Sequence, residues 1–147
     1  MFKMIFLGLF LFVSLYVTAF GEDLKQKDSD RVEKRFKKMV RAYKNENIKA
    51  FFANVSERGF EQDFLGFFDE IQEDFRVNDV LNIDIWVDKI TTDKNRRFLS
   101  VKWTKTYLST ENNIELTKDG SSVFLFEKRK KKYKLIDFKG AILFGES

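Results

Sequence analysis

An α+β domain, with three N-terminal helices packed on a curved antiparallel sheet of four or more strands, is the fold class this sequence predicts. Apolar residues recur at helical spacing between Val32 and Phe75, and after Asn78 the pattern changes to alternation. The 44% hydrophobic content with 18 Phe supplies a core, although 34% of residues are charged. Length sets one domain: removing a 21-residue export segment from 147 residues leaves 126, too few for two independent cores.

The first element is that export segment. Lys3 is followed by an almost unbroken apolar run from Met4 to Val17, and small residues stand at Ala19 and Gly21. A cation held at the cytoplasmic face, a helical apolar stretch and a cleavage site narrow enough for the peptidase make a signal peptide over residues 1–21, cut after Gly21. The protein is thus expected outside the cytoplasm, periplasmic or secreted. No cysteine follows the run for lipid attachment, and no twin Arg precedes it. The alternative is an uncleaved anchor: Met4 to Phe20 is 17 residues, the lower bound of about 17 for a spanning helix. A membrane contact is expected only through that segment. Residues 22–29 read as a short linker and residues 30–147 as the domain.

Asp30 with Glu33 has the spacing of a capping box, and Val32, Phe36, Met39, Val40 and Tyr43 fall on one face of the helix that follows. Asn45 to Asn47 break it, and Ile48, Phe51 and Phe52 form a short second helix ending near Asn54. After a turn at Ser56 to Gly59, the stripe Phe60, Phe64, Phe67, Phe68, Ile71 and Phe75 defines a third helix. Its opposite, solvated face is assigned Glu61, Asp63, Asp69, Glu70, Glu73 and Asp74.

From Leu81 the period is two: Leu81, Ile83, Ile85 and Val87 alternate with Asn82, Asp84, Trp86 and Asp88. Thr91 to Asn95 turns the chain into a hairpin partner whose Leu99, Val101, Trp103 and Tyr107 share a face. Val123 to Phe126 is apolar on both faces and reads as a central strand. Lys128 to Lys132 is a turn, Tyr133 to Phe138 the last strand, and the tail from Gly140 to Gly145 keeps enough apolar surface to dock.

With no cysteine and no histidine, disulfide frameworks, thiol nucleophiles, cysteine-rich zinc sites and every histidine-dependent acid, base or ligand are excluded. No metal and no cofactor is expected. Loss of Lys3 leaves 26 basic against 23 acidic residues, +3, too mild to demand nucleic acid. Ten basic residues against four acidic lie between Lys25 and Lys49, and eight acidic against two basic between Glu57 and Asp79, as on complementary faces of packed helices. The run Lys128 to Lys132 reads as a solvated turn, with anionic lipid as the alternative. Asn54-Val55-Ser56 matches a glycosylation sequon, relevant only in a eukaryotic secretory pathway.

A long helix, a short one, a third and then a four-stranded meander, ending in Gly120, the strand Ser122 to Glu127, a charged turn and Tyr133-Lys134-Leu135-Ile136, resembles the nuclear transport factor 2-like superfamily. That is the cone-shaped fold of ketosteroid isomerases and SnoaL-like cyclases. The resemblance covers Asp30 to Phe138, with Tyr133 where Trp is commoner. It implies a cavity inside the cone and a possible homodimer through the sheet face. It supplies no function, because one fold hosts many activities.

Enzymes of that superfamily usually place Asp, His or Tyr inside the cone. Asp137 and Asp84 are this chain's candidate carboxylates, and Lys105, between Trp103 and Tyr107, is a candidate pocket cation or a lysine snorkelling from the rim. No catalytic residue of the family is matched onto the chain. Tyr43, Phe64, Phe68, Trp103 and Tyr107 come from the elements that line the cone and are the candidate ligand-binding residues; the alternative is that they fill the core. The expected function is an exported, non-enzymatic module binding a small apolar ligand or a protein partner. The alternative is a small lyase or isomerase of the ketosteroid-isomerase or SnoaL-like type, with an inward Asp as base.

Overall fold

Seven elements follow one another: α1 (Phe2–Lys44), α2 (Ile48–Phe52), α3 (Phe64–Val77), β1 (Asn78–Asp93), β2 (Arg96–Ser109), β3 (Glu115–Arg129) and β4 (Lys132–Gly140). This computed structural model describes the backbone of residues 2–145 and the side chains of residues 21–145. The side chains on which the signal-peptide reading rests, from Lys3 to Ala19, lie outside the described residues. No helix among the described residues is long and apolar enough to cross a membrane.

The chain divides into two units, Met1–Arg31 and Val32–Ser147. In the first, residues 22–29, read from the sequence as a short linker, are helical, since nothing between Glu22 and Ser29 breaks a helix. The capping box at Asp30 is not used. The Gln26 side chain donates to the Asp30 carboxylate at 3.0 Å, and Glu33 pairs with Lys37 one turn on, as interior helix residues do.

In the second unit, α1 buries Val32, Phe36, Met39 and Tyr43 completely. The Asn47 side chain caps α2 by accepting the Ala50 N–H at 3.0 Å. Helix α3 begins at Phe64, not Phe60, because the preceding segment is committed to the sheet edge. Glu61 donates its N–H to the Ile136 carbonyl at 2.7 Å, and the Gln62 side chain donates to the Phe138 carbonyl at 2.9 Å. The face α3 turns inward is Phe67, Ile71 and Asp74, spaced i, i+4, i+7. Asp74, assigned above to the solvated face, is 1% exposed. Phe64 and Phe68, on the edges of that stripe, are half-buried.

The sheet is an antiparallel meander in the order β1-β2-β3-β4, so β3 is internal, as its two-sided apolar run predicts. Register shifts after Val80 and Val87 bend β1 and change which side chains face in. Leu81, expected beside Ile83, is therefore exposed. Along β2 the inner face carries Leu99, Val101, Trp103, Lys105 and Tyr107, all buried. A further shift at Ile136 places Asp137 opposite Leu125, on the face away from Phe124 and Phe138.

Two additions complete the second unit. Val55 forms a parallel bridge to Leu135, with Leu135 N–H donating to Asn54 at 2.8 Å and Ser56 N–H to Leu135 at 2.9 Å. After β4 the chain reverses at Gly140, whose φ of 97° and whose approach to the Ser121 carbonyl, 2.6 Å from where a Cβ would stand, admit no side chain. The tail then docks as expected, with Leu143 and Phe144 buried.

Candidate functional site

Aromatic side chains fill the space between the helices and the inner sheet face. Phe144 lies 5.0 Å, ring to ring, from both Tyr43 and Phe51, and 5.6 Å from Phe124. Inside this apolar surround stands a charged cluster. Lys105, on β2, and Asp74, on α3, face each other with Nζ and Oδ2 3.6 Å apart and side chains only 4% and 2% exposed. A pair this buried has lost both hydration shells, so its partners decide whether it is tolerable.

Those partners come from α1, β1, β2 and the tail after β4. Lys105 Nζ donates to the Tyr43 hydroxyl at 3.1 Å and lies over the Tyr43 and Tyr107 rings, 5.2 and 5.3 Å from their centroids. The Gly145 N–H donates to the same hydroxyl at 3.1 Å. With two N–H groups received, that oxygen keeps its own O–H to give. Asn78 Nδ2 donates to Asp74 Oδ1 at 2.8 Å, whereas Asp74 Oδ2 has no hydrogen-bond donor among the described residues. Near the end of α1, partial burial and then the charge of Asp79 push the Glu46 carboxyl above the usual range, against a hydrogen bond with the Val80 backbone.

The five candidate ligand-binding residues separate into two groups. Tyr43 and Tyr107 flank Lys105, and Trp103 stands on the same face of β2, its Nε1 donating to Ser122 Oγ at 2.8 Å. Ser122 Oγ donates in turn to the Ala141 carbonyl at 2.6 Å. A Cβ on Gly120 would lie 2.8 Å from the Trp103 ring and 2.5 Å from Ala141, which explains the glycine there. Phe64 and Phe68 instead meet Phe52, at 5.5 and 4.9 Å, in a half-buried group away from the polar cluster. All three members of the first group are less than a tenth exposed, packed against neighbours.

The candidate carboxylates are elsewhere. Asp137 accepts from the Gln62 side chain at 2.6 Å at the sheet edge, because the Ile136 bulge turns it away from the inner face. Asp84 is exposed and accepts from Asn82 at 2.8 Å. The inward carboxylate is Asp74, and Lys105, allowed above as a rim lysine, is its buried counterion. No group of three or more acidic, His or Cys side chains that could hold a metal ion occurs among the described residues.

No family model and no curated protein matches the sequence. Solved structures do. An NTF-2 like protein of unknown function from Shewanella oneidensis superposes with a TM-score of 0.61 at 8% identity, over 77% of this chain and 98% of that one. A nuclear transport factor 2 superfamily protein from Salmonella enterica gives 0.62 at 10% identity, over 84% and 94%. The fold is the NTF2-like cone. A ketosteroid isomerase-like protein from Erwinia carotovora also shares it, with a TM-score of 0.65 at 11% identity over 74% of this chain and 91% of that one. At such identities the cone is what is shared, and the Lys105–Asp74 pair must be read on its own chemistry.

Proposed function

We propose that this domain is an exported, non-enzymatic binding module whose cone takes a small, largely apolar ligand with one acceptor group, such as a carbonyl or carboxylate. The observation that carries the reading is the seating of the tail. Phe144 enters among Tyr43, Phe51 and Phe124 while the neighbouring Gly145 N–H reaches the Tyr43 hydroxyl. An apolar body with one polar end already occupies the interior, and a ligand that displaced it would meet the same rings, the Lys105 ammonium and the Tyr43 O–H. The export pattern at Lys3 to Gly21 supports delivery outside the cytoplasm.

The lyase or isomerase reading draws support from Asp74, an inward carboxylate with one oxygen free of donors among the described residues. A general base must reach a substrate proton, whereas this carboxylate faces Lys105 and Asn78 inside a packed interior, so binding is favoured. Association through the sheet is supported by Trp86, 55% exposed on the outer face; Trp86→Lys should lower the sedimentation coefficient if that face joins two copies.

Native mass spectrometry of protein purified from its own host tests the binding reading, alongside titration of the Phe144→Ala variant with an apolar anionic dye. Retained ligand, or dye binding at one site by Phe144→Ala that a folded Phe144→Ala/Asp74→Leu/Lys105→Met variant shows more weakly, is the expected result. A folded Phe144→Ala protein that neither retains nor binds anything would reduce the cluster to core packing.

A further inference from the structure

The basic turn does not stand alone in solvent. It forms one wall of an open cleft of about 1110 Å³, whose other wall is the segment Val55 to Arg58 that clasps β4. Six cations line it, Arg58, Arg129, Lys130, Lys131, Lys132 and Lys134, against the carboxylates Glu57 and Glu127. Glu127 is already engaged, with Arg96 Nε at 3.2 Å and Arg129 at 2.9 Å. Among the described residues, Arg58, Lys130, Lys131 and Lys132 make no ion pair.

Two of the cations are also held, Arg129 and Lys134. Gly59 leaves room for the Arg129 guanidinium, which a Cβ there would overlap. Lys134 Nζ donates to the Ala53 carbonyl, and Lys130 sits at φ 57°, where glycine or asparagine would be unstrained. Burial, then the nearby charges of Arg35 and Lys132, hold the Lys134 ammonium below the usual lysine range. A solvated turn needs neither a second wall nor cations crowded enough to oppose one another.

We infer that the cleft between Val55–Arg58 and the β3–β4 turn is a binding site for clustered phosphate groups. Arg58, which makes no ion pair among the described residues, suits a bidentate contact, and the lysines serve as movable point charges around the remaining oxygens. The phosphates could be those of a soluble polyphosphorylated molecule or of an anionic lipid headgroup, since both present the same oxygens. This site is separate from the cone interior, and the proposal stands whether or not the interior binds a ligand.

Calorimetric titration of the full chain with tripolyphosphate, at an ionic strength of about 0.15 M where surface charges are largely screened, tests it. The cleft variant Lys130→Asn/Lys131→Gln/Lys132→Gln is compared with Lys34→Gln/Lys38→Gln/Arg41→Gln, which removes the same charge from the exposed face of α1. One-site binding is expected, weakened about tenfold or more in the cleft variant and less than about twofold in the control. Both variants are checked for melting no lower than that of the parent chain.

Vesicles of phosphatidylcholine with and without phosphatidylglycerol identify the source. Extra sedimentation with phosphatidylglycerol that tripolyphosphate displaces assigns a lipid headgroup; tripolyphosphate binding without it assigns a soluble ligand. Absence of tripolyphosphate binding, equal losses in both variants, or vesicle binding that tripolyphosphate cannot displace would each overturn the inference.

Discussion

Replacing Lys105 by methionine keeps an unbranched apolar stem among the Tyr43 and Tyr107 rings and removes only the ammonium. Asp74 would then keep the Asn78 donor alone, its Oδ2 facing a site where both members of the pair are at most 4% exposed. Removing one partner of a pair this buried costs about 3–5 kcal/mol, because the remaining charge is desolvated without compensation. In urea, with an m-value of about 1.5–2 kcal/mol/M, that moves the unfolding midpoint down by about 2–3 M. The double variant Asp74→Leu/Lys105→Met removes both charges and should recover at least about 2 kcal/mol of the loss, so the two substitutions are strongly non-additive. A single-variant loss below about 1 kcal/mol, or additivity, would refute the reasoning and mean that water reaches the pair.

Phe67→Ala should cost about 3–5 kcal/mol, since Phe67 is 4% exposed, whereas half-buried Phe68→Ala should cost about 1–2 kcal/mol by chemical denaturation. Gly140→Val, introduced at a φ of 97° against the Ser121 carbonyl, should release the tail; hydrogen exchange at Ala141 to Gly145 should accelerate well before that of β3. Lys130→Gly relieves a φ of 57° and should leave stability unchanged or raised by up to about 1 kcal/mol. A fall in melting temperature would show that the Lys130 side chain supports the fold.

The change of period at Asn78 carried most of the architecture, because a half-buried strand and a surface helix leave different signatures in order alone. Strand faces were less legible. The shifts at Val80, Val87 and Ile136 leave no mark in composition, yet one extra residue exposes Leu81 and turns Asp137 to the opposite face of the sheet. Asp74 was concealed by Glu73 beside it, which drew both into one acidic face. Its place seven residues after Phe67 on the Phe67–Ile71 row was the available signal, since a carboxylate on a buried row needs a partner. Lys105 was legible as an inner-face position from the alternation of β2. The pairing was not, because Asp74 reaches it from another element.

The clasp of Val55 on Leu135 bears on the order in which the molecule assembles. Each hairpin of the meander closes through a short connection, so the sheet can zip from its turns without bringing distant parts of the chain together. Val55 and Leu135 are 80 positions apart, and closing a flexible segment of that length costs about 4 kcal/mol in chain entropy. Two backbone hydrogen bonds repay only part of that, so the bridge must wait until Phe51 and Phe67 have packed against the sheet. Substitutions at Val55 should therefore speed unfolding while leaving the refolding rate nearly unchanged.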